Sequence, residues 1–224
     1  MARQPKFQTS SNLKNRLISA AILIPISLYI IYLGSPYALI LGGCITIALV
    51  MEWIFFCLKN RLSFWKKTIF IILGTFYLSL ALFWIFSHLL LPEGWKIIFW
   101  LLFLVWSTDT AAYAGGRLLR GPKLAPSISP NKTWSGFVTG MVGGILVGYY
   151  TAFWLFPDVQ NGIIIGLLVL IAQGGDLLES VAKRWAQIKD SSALIPGHGG
   201  FLDRLDSFLA ICFSLALWNI VRLL

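Results

Sequence analysis

Long apolar runs alternate with short polar stretches along the whole chain. Seven runs stand out, at 17–34, 37–58, 68–87, 97–116, 136–156, 162–182 and 204–224. Each is near the ~20 residues that a helix needs to cross about 30 Å of hydrocarbon. Backbone N–H and C=O groups facing lipid must be satisfied within the segment, so the runs predict helices. Turn residues punctuate them: Gly34-Ser35-Pro36 between the first two runs, Pro92 and Gly94 before the fourth, and Pro157 after the fifth. The expected fold class is all-α, a polytopic transmembrane helical bundle of about seven spans with its N-terminus cytoplasmic. Polar residues inside 97–116 and 162–182 leave open whether those two runs are continuous, broken or re-entrant.

Composition rules out a soluble alternative. Hydrophobic residues make up 58% of the chain and charged residues 12%, and the mean hydropathy is +0.79. Soluble domains carry roughly twice that charged fraction, and so few polar residues could not cover the outside of a water-soluble fold. Cys44, Cys57 and Cys212 lie in apolar runs without metal-binding spacing, which makes them small core residues. The basic N-terminus leads into an apolar run with no small-residue cleavage site, so that run is expected to be a retained span.

The net charge of +9 would suit a nucleic-acid partner, but its distribution follows a membrane instead. With the N-terminus inside, Arg3, Lys6, Lys14, Arg16, Lys59, Arg61, Lys66, Lys67, Arg117, Arg120, Lys123, Lys132, Lys183, Arg184, Lys189 and Arg204 fall on one side. Only Lys96 and Arg222 fall on the other. That asymmetry is the positive-inside pattern, and a span count wrong by one would scramble it. The acids segregate too. Glu93 and Asp158 sit in outer loops, while Glu52, Asp109, Asp176, Glu179, Asp190, Asp203 and Asp206 sit in the cytoplasmic half. Ionisable groups at membrane depth are costly and mark function.

The densest chemistry lies between 174 and 207. Asp176, Ser180 and Lys183 share one helical face, flanked by Glu179, and Asp203 and Asp206 are i, i+3 neighbours on the next helix. Carboxylates converging from two helices at the inner surface need a positive charge between them. A hard divalent cation such as Mg²⁺ takes oxygen ligands and keeps positions for phosphate. Lys183, Arg184, Lys189 and Arg204 would hold further phosphate charge. The turn Pro196-Gly197-His198-Gly199-Gly200 lets backbone approach a phosphate closely. The bland alternative is a set of salt bridges stapling two helices. His198 could orient a phosphate or act as acid or base, though a lone turn histidine is more often structural.

A second polar stretch runs from 106 to 136. Asp109 is an intramembrane carboxylate. Gly115-Gly116-Arg117 follows, then a stiff loop with Pro122, Pro126 and Pro130 that carries Ser127, Ser129, Asn131, Lys132 and Thr133. Hydroxyls and cations there suit a lipid phosphate, or unspecific contact with anionic lipid. Glu52 reads as a helix–helix hydrogen-bonding partner or a support for the basic cluster, and His88 as an interfacial residue.

The stretch SVAKRWAQIKDSSALIPGHGGFLDRLD resembles the signature of the phosphatidate cytidylyltransferases, also called CDP-diacylglycerol synthases. Every polar position and spacing from Ser180 to Asp206 is present; Ala182 stands where a larger apolar residue is usual. Gly175-Asp176-Leu177 with Glu179-Ser180 is similar to the family's G-D-L-x-E-S. KLAPSISPNKTWSG is similar to its K-x-A-P-x-I-S-P-x-K-T segment, with Ser135 where Glu is common. The resemblance covers the chain from about 106.

It implies transfer of a cytidylyl group from CTP to phosphatidic acid with Mg²⁺, in a bacterial inner membrane, the site facing the cytoplasm. Potassium as a second ion and a homodimer are further family expectations. Asp176 and Asp203 then look like metal carboxylates, with Asp206 and Glu179 close by. Lys183, Arg184, Lys189 and Arg204 would neutralise the triphosphate, and Ser129, Lys132 and Thr133 would hold the lipid phosphate. Ser180, Asp190, Gly199 and Gly200 would complete the substrate site, with His198 beside them. The implied organisation is a basic N-terminus (1–16), N-terminal helices (17–105) and a catalytic region (106–224), with no role for nucleic acid. An ion-coupled transporter would instead place carboxylates at the midplane with access from both sides. A CDP-alcohol phosphotransferase would need a D-x-x-D-G-x-x-A-R run, which is absent here.

Overall fold

The computed structural model describes residues 22, 24–59, 62–156, 161–187 and 200–223. A short apolar helix α1 (Ile24–Leu33) precedes six long ones. These are α2 (Tyr37–Lys59), α3 (Phe64–Leu89), α4 (Gly94–Leu118), α5 (Trp134–Leu155), α6 (Gly162–Trp185) and α7 (Leu202–Leu223). All six are long and apolar enough to cross a membrane. The fold is therefore a polytopic helical bundle, and the chain is an integral membrane protein. The first predicted span is described only over α1, because most of its earlier part lies outside the described residues.

The two polar-containing runs form unbroken helices. Within α4, Ser107 and Thr108 donate their hydroxyls to the Leu104 carbonyl, at 2.9 and 2.7 Å. The polar groups are thus satisfied inside the helix that carries them, and no break is needed. The outside of the bundle is greasy: Leu146, Trp154 and Ile163 all lie exposed, the reverse of a water-soluble surface. Inside, one apolar core draws on α2 to α7, with Leu101, Leu104, Val169, Leu209 and Ile211 almost wholly buried.

The tightest contact is between α4 and α5, and small residues make it possible. Gly136, Gly140, Gly144, Gly148 and Ala152 recur every fourth residue and form the buried stripe of α5. A Cβ on Gly140 would come within 3.0 Å of Ala112 Cβ, and one on Gly144 would run into Thr108 Oγ1 and Val169. Backbones approach closely only where side chains are missing. Trp100 Nε1 donates to the Gly148 carbonyl at 2.8 Å and locks the register.

Between α4 and α5 the Pro-rich loop forms an antiparallel hairpin, β1 (Lys123–Ala125) and β2 (Ser129–Thr133). Arg120 and Gly121 take positive φ angles, 55° and 116°, and turn the chain out of α4. Ser135 Oγ donates to the Arg120 carbonyl. Thr133 closes the hairpin by capping α5, its hydroxyl accepting the Gly136 N–H at 3.1 Å.

Gly144→Ala is expected to destabilise the bundle by about 1–3 kcal/mol through overpacking. Gly166→Ala, where an added Cβ meets only Ile145 at 3.8 Å, should be neutral. Thermal unfolding midpoints of the two variants in detergent check the contrast.

Candidate active site

Charged residues meet where the C-terminal halves of α4 and α6 approach the start of α7 and the hairpin. Lys183 of α6 joins two carboxylates, with Nζ 2.8 Å from Glu179 Oε2 one turn earlier and 2.9 Å from Asp203 Oδ1 on α7. The other oxygen of Asp203 accepts the Gly200 N–H at 3.1 Å. One lysine thereby pins α6 to α7, and all three side chains are mostly buried.

Glu52 completes the start of α7 from a distant part of the chain. It is wholly buried, and its two carboxylate oxygens accept the N–H groups of Phe201 and Leu202, each at 2.8 Å. The first N–H groups of a helix lack intrahelical partners and carry partial positive charge, so a carboxylate there is stabilising. Of the two roles the sequence left open for Glu52, the structure shows hydrogen bonding between helices.

The hairpin contributes a second cation. Lys132 Nζ lies 2.7 Å from Asp176 Oδ2, and Arg184 Nε donates to the Ile128 carbonyl in the hairpin turn at 3.2 Å. Asp176 and Lys183 thus have different partners although they share a helix. Asp206 Oδ1 accepts the N–H of Ser207 at 2.7 Å. Tyr77 of α3 donates its hydroxyl to the Asp206 carbonyl at 3.4 Å.

Two cavities meet at this cluster. The larger, about 590 Å³, is lined at its polar end by Asp109, Asp176, Asp203, Arg204 and Asp206. The smaller, about 440 Å³, is lined by Arg117, Asn131, Lys132, Thr133 and Gln173, and shares Asp109 and Asp176 with the first. Asp176 and Asp203 therefore face one space. That space is recessed. Asp109 and Asp176 each stand nine residues before the ends of α4 and α6, roughly 13–14 Å inside at the helical rise. The sequence reading put the carboxylates at the inner surface. In the structure they run from the start of α7, at Asp203, inward along α4 and α6.

The remaining candidates fall as follows. Gly200 is buried and Ser180 half-buried, whereas Arg184 and Arg204 are exposed. Ser129 opens β2 opposite Ala125. Thr133 serves first as a helix cap. Lys189, Asp190, His198 and Gly199 lie outside the described residues. The sequence reading missed the glycine stripe of α5, although its four-residue repeat was visible, and the parts played by Tyr77 and Gln173, which had no signal.

The donor set suits a hard cation, since it consists of carboxylate oxygens and includes Glu179 Oε1, buried without a hydrogen-bond partner among the described residues. No group of three His, Cys, Asp or Glu side chains among the described residues could hold an ion on its own. Substrate oxygens and water would have to complete a coordination shell, which is the habit of Mg²⁺.

A family model described as the cytidylyltransferase family matches residues 55–221. A phosphatidate cytidylyltransferase of Rickettsia conorii is 34% identical, the match covering 96% of this chain and 94% of the relative. One of Staphylococcus epidermidis is 41% identical over 73% of this chain and 62% of the relative. One of Brucella suis is 46% identical over 58% of this chain and 49% of the relative. The match thus spans about half the length of the Brucella protein.

Glu52→Ala should lower stability by roughly 2–3 kcal/mol, because it leaves two buried N–H groups without their charged acceptor. Glu52→Gln, which keeps one acceptor oxygen, should lose less. Unfolding midpoints of purified protein in detergent measure both.

Proposed function

The chain belongs to the cytidylyltransferase family, and we propose that it transfers a cytidylyl group from CTP to phosphatidic acid, giving CDP-diacylglycerol and pyrophosphate. The observation that carries this reading is the recessed cavity shared by Asp109, Asp176, Asp203 and Asp206, beside a second cavity lined by Lys132 and Arg117. The names of the relatives agree with it.

The reaction makes modest demands. A phosphate oxygen of phosphatidic acid attacks the α-phosphorus of CTP in line. The new P–O bond forms as the bond to the β-phosphate bridge breaks, and pyrophosphate leaves with the electron pair. The nucleophile is already an anion, so no strong base is required. Alignment and charge neutralisation supply the acceleration.

Asp176 and Asp203, with Asp206 and Glu179 beside them, would hold Mg²⁺, which when bound neutralises phosphate charge and acts as a Lewis acid. Potassium as a second ion is carried over from the family resemblance alone. Lys183 keeps Asp203 and Glu179 oriented, and Lys132 is placed to exchange its carboxylate partner for a lipid phosphate. Ser129 and Thr133 lie on the same strand. Arg184 and Arg204, exposed at the cluster, would meet the triphosphate. Ser180 and Gly200 would shape the site. Lys189, Asp190, His198 and Gly199 are assigned to the nucleotide by motif. The positive-inside distribution orients the site to the cytoplasm, from which CTP arrives, while the lipid enters from the side. The inner membrane of a bacterium and a homodimer complete the proposal.

Purified protein should release pyrophosphate from CTP only when phosphatidic acid and Mg²⁺ are both present, and chelation should abolish the release. Asp176→Asn and Asp203→Asn should fold but lose activity on the order of a hundredfold or more. Near-normal turnover in either would reject the assignment of these carboxylates. Lys132→Met should raise the KM for phosphatidate about tenfold and that for CTP less, measured by initial rates at varied concentrations of each.

A further inference from the structure

We infer that the apolar arm of the larger cavity is the binding site for one acyl chain of the lipid substrate, with Gly42 setting the chain length it accepts. This inference rests on the functional reading above.

The charged residues of the lining gather at one end of the cavity, and elsewhere its wall is apolar apart from the hydroxyls of Ser27 and Thr46. Beyond the carboxylates, its walls are Leu28 and Ile31 of α1, Gly42 and Ile45 of α2, and Phe86 and Leu89 of α3. Along α2 the lining extends from Ala38 to Leu49, about 16 Å at the helical rise. That is close to half of the ~30 Å hydrocarbon core, the depth that one layer of acyl chains fills. Asp109 and Asp176 stand roughly 13–14 Å inside the ends of α4 and α6, and the arm runs on from them along α2.

An occupant must match both ends. Water gains little against apolar walls, and a dry void would cost the lining its dispersion contacts. Plain hydrocarbon suits the arm but not the four carboxylates, which call for an anionic head bound through cations. A phosphorylated diacyl lipid has both parts in one molecule, and the proposed substrate is one. Its phosphate at the junction of the two cavities directs a chain into the arm.

Gly42 is where the arm can be narrowed. It lines the cavity, and a Cβ added there would lie 3.4 Å from Leu89 Cδ1 and Phe86 Cζ. A larger side chain must enter the lumen. Its neighbour Gly43 has nothing within 4 Å of an added Cβ and does not line the cavity, so it serves as a matched control on the same helix.

Two measurements test the site. In the first, wild-type protein in detergent is photolabelled with a phosphatidate carrying a diazirine near the end of one palmitoyl chain, with excess unlabelled dipalmitoyl phosphatidate as competitor. Competed label on Gly42, Ile45, Phe86 or Leu89 is expected. Label confined to the lipid-facing Ile40 and Ile47, both more than 60% exposed, overturns the site and assigns the arm to bulk lipid. In the second, initial rates with dioctanoyl, dilauroyl and dipalmitoyl phosphatidate are compared. Gly42→Leu should lower the dipalmitoyl-to-dioctanoyl ratio about tenfold, and Gly43→Leu should leave it as in the wild type. An unchanged ratio in Gly42→Leu, or an equal shift in Gly43→Leu, overturns the role of Gly42. If wild-type protein converts no phosphatidate, the functional reading fails, and the labelling pattern still decides the chain site.

Discussion

Like charges gathered inside a membrane repel, and the protein must hold them with counter-charge and hydrogen bonds that do not depend on water. Here Asp109, Asp176, Glu179, Asp203 and Asp206 gather around shared cavities, and their partners come from different kinds of element. Lys183 supplies charge from a helix and Lys132 from a hairpin. Backbone N–H groups at the start of α7 satisfy Asp203 and Asp206. Removing a partner from a buried charge costs far more than an exposed pair would contribute. The rest of the bundle is arranged around that constraint.

Three structural devices meet it. The glycine stripe of α5 brings α4 close enough for Asp109 to reach the space that Asp176 faces. The hairpin folds back over α6, tied by Lys132 to Asp176 and by Arg184 to Ile128. Glu52 reaches across from α2 to hold the first turn of α7, and with it Asp203. The family match begins at residue 55, so this last support comes from just outside it. The N-terminal helices are thus part of the site's framework as well as its anchor. Two cavities thereby come to share Asp109 and Asp176.

Much of this was legible along the chain. The apolar runs located α2 to α7 within a few residues, because the need to hydrogen-bond every backbone polar group within the segment makes hydrophobic length nearly sufficient evidence for a spanning helix. The residues between 174 and 207 stood out as candidates by type and spacing. The hairpin was legible only as a stiff non-helical loop, since three prolines argue against helix without specifying a strand pairing. Glu52 carried two readings because a lone acid in an apolar run does not name its partner. Gln173 and Tyr77 carried no signal, being ordinary residues whose position alone makes them neighbours of the cluster.

The sequence alone therefore determined the class of protein, the six long apolar helices and the candidate residues for the chemistry. These follow from local composition, and the bilayer imposes its demands one segment at a time. Tertiary structure decided which carboxylate meets which cation, and that an apolar arm opens from the cluster. Those depend on the rotation and axial offset of each helix, which are fixed by close packing between segments far apart in the chain, where small residues allow backbones to approach.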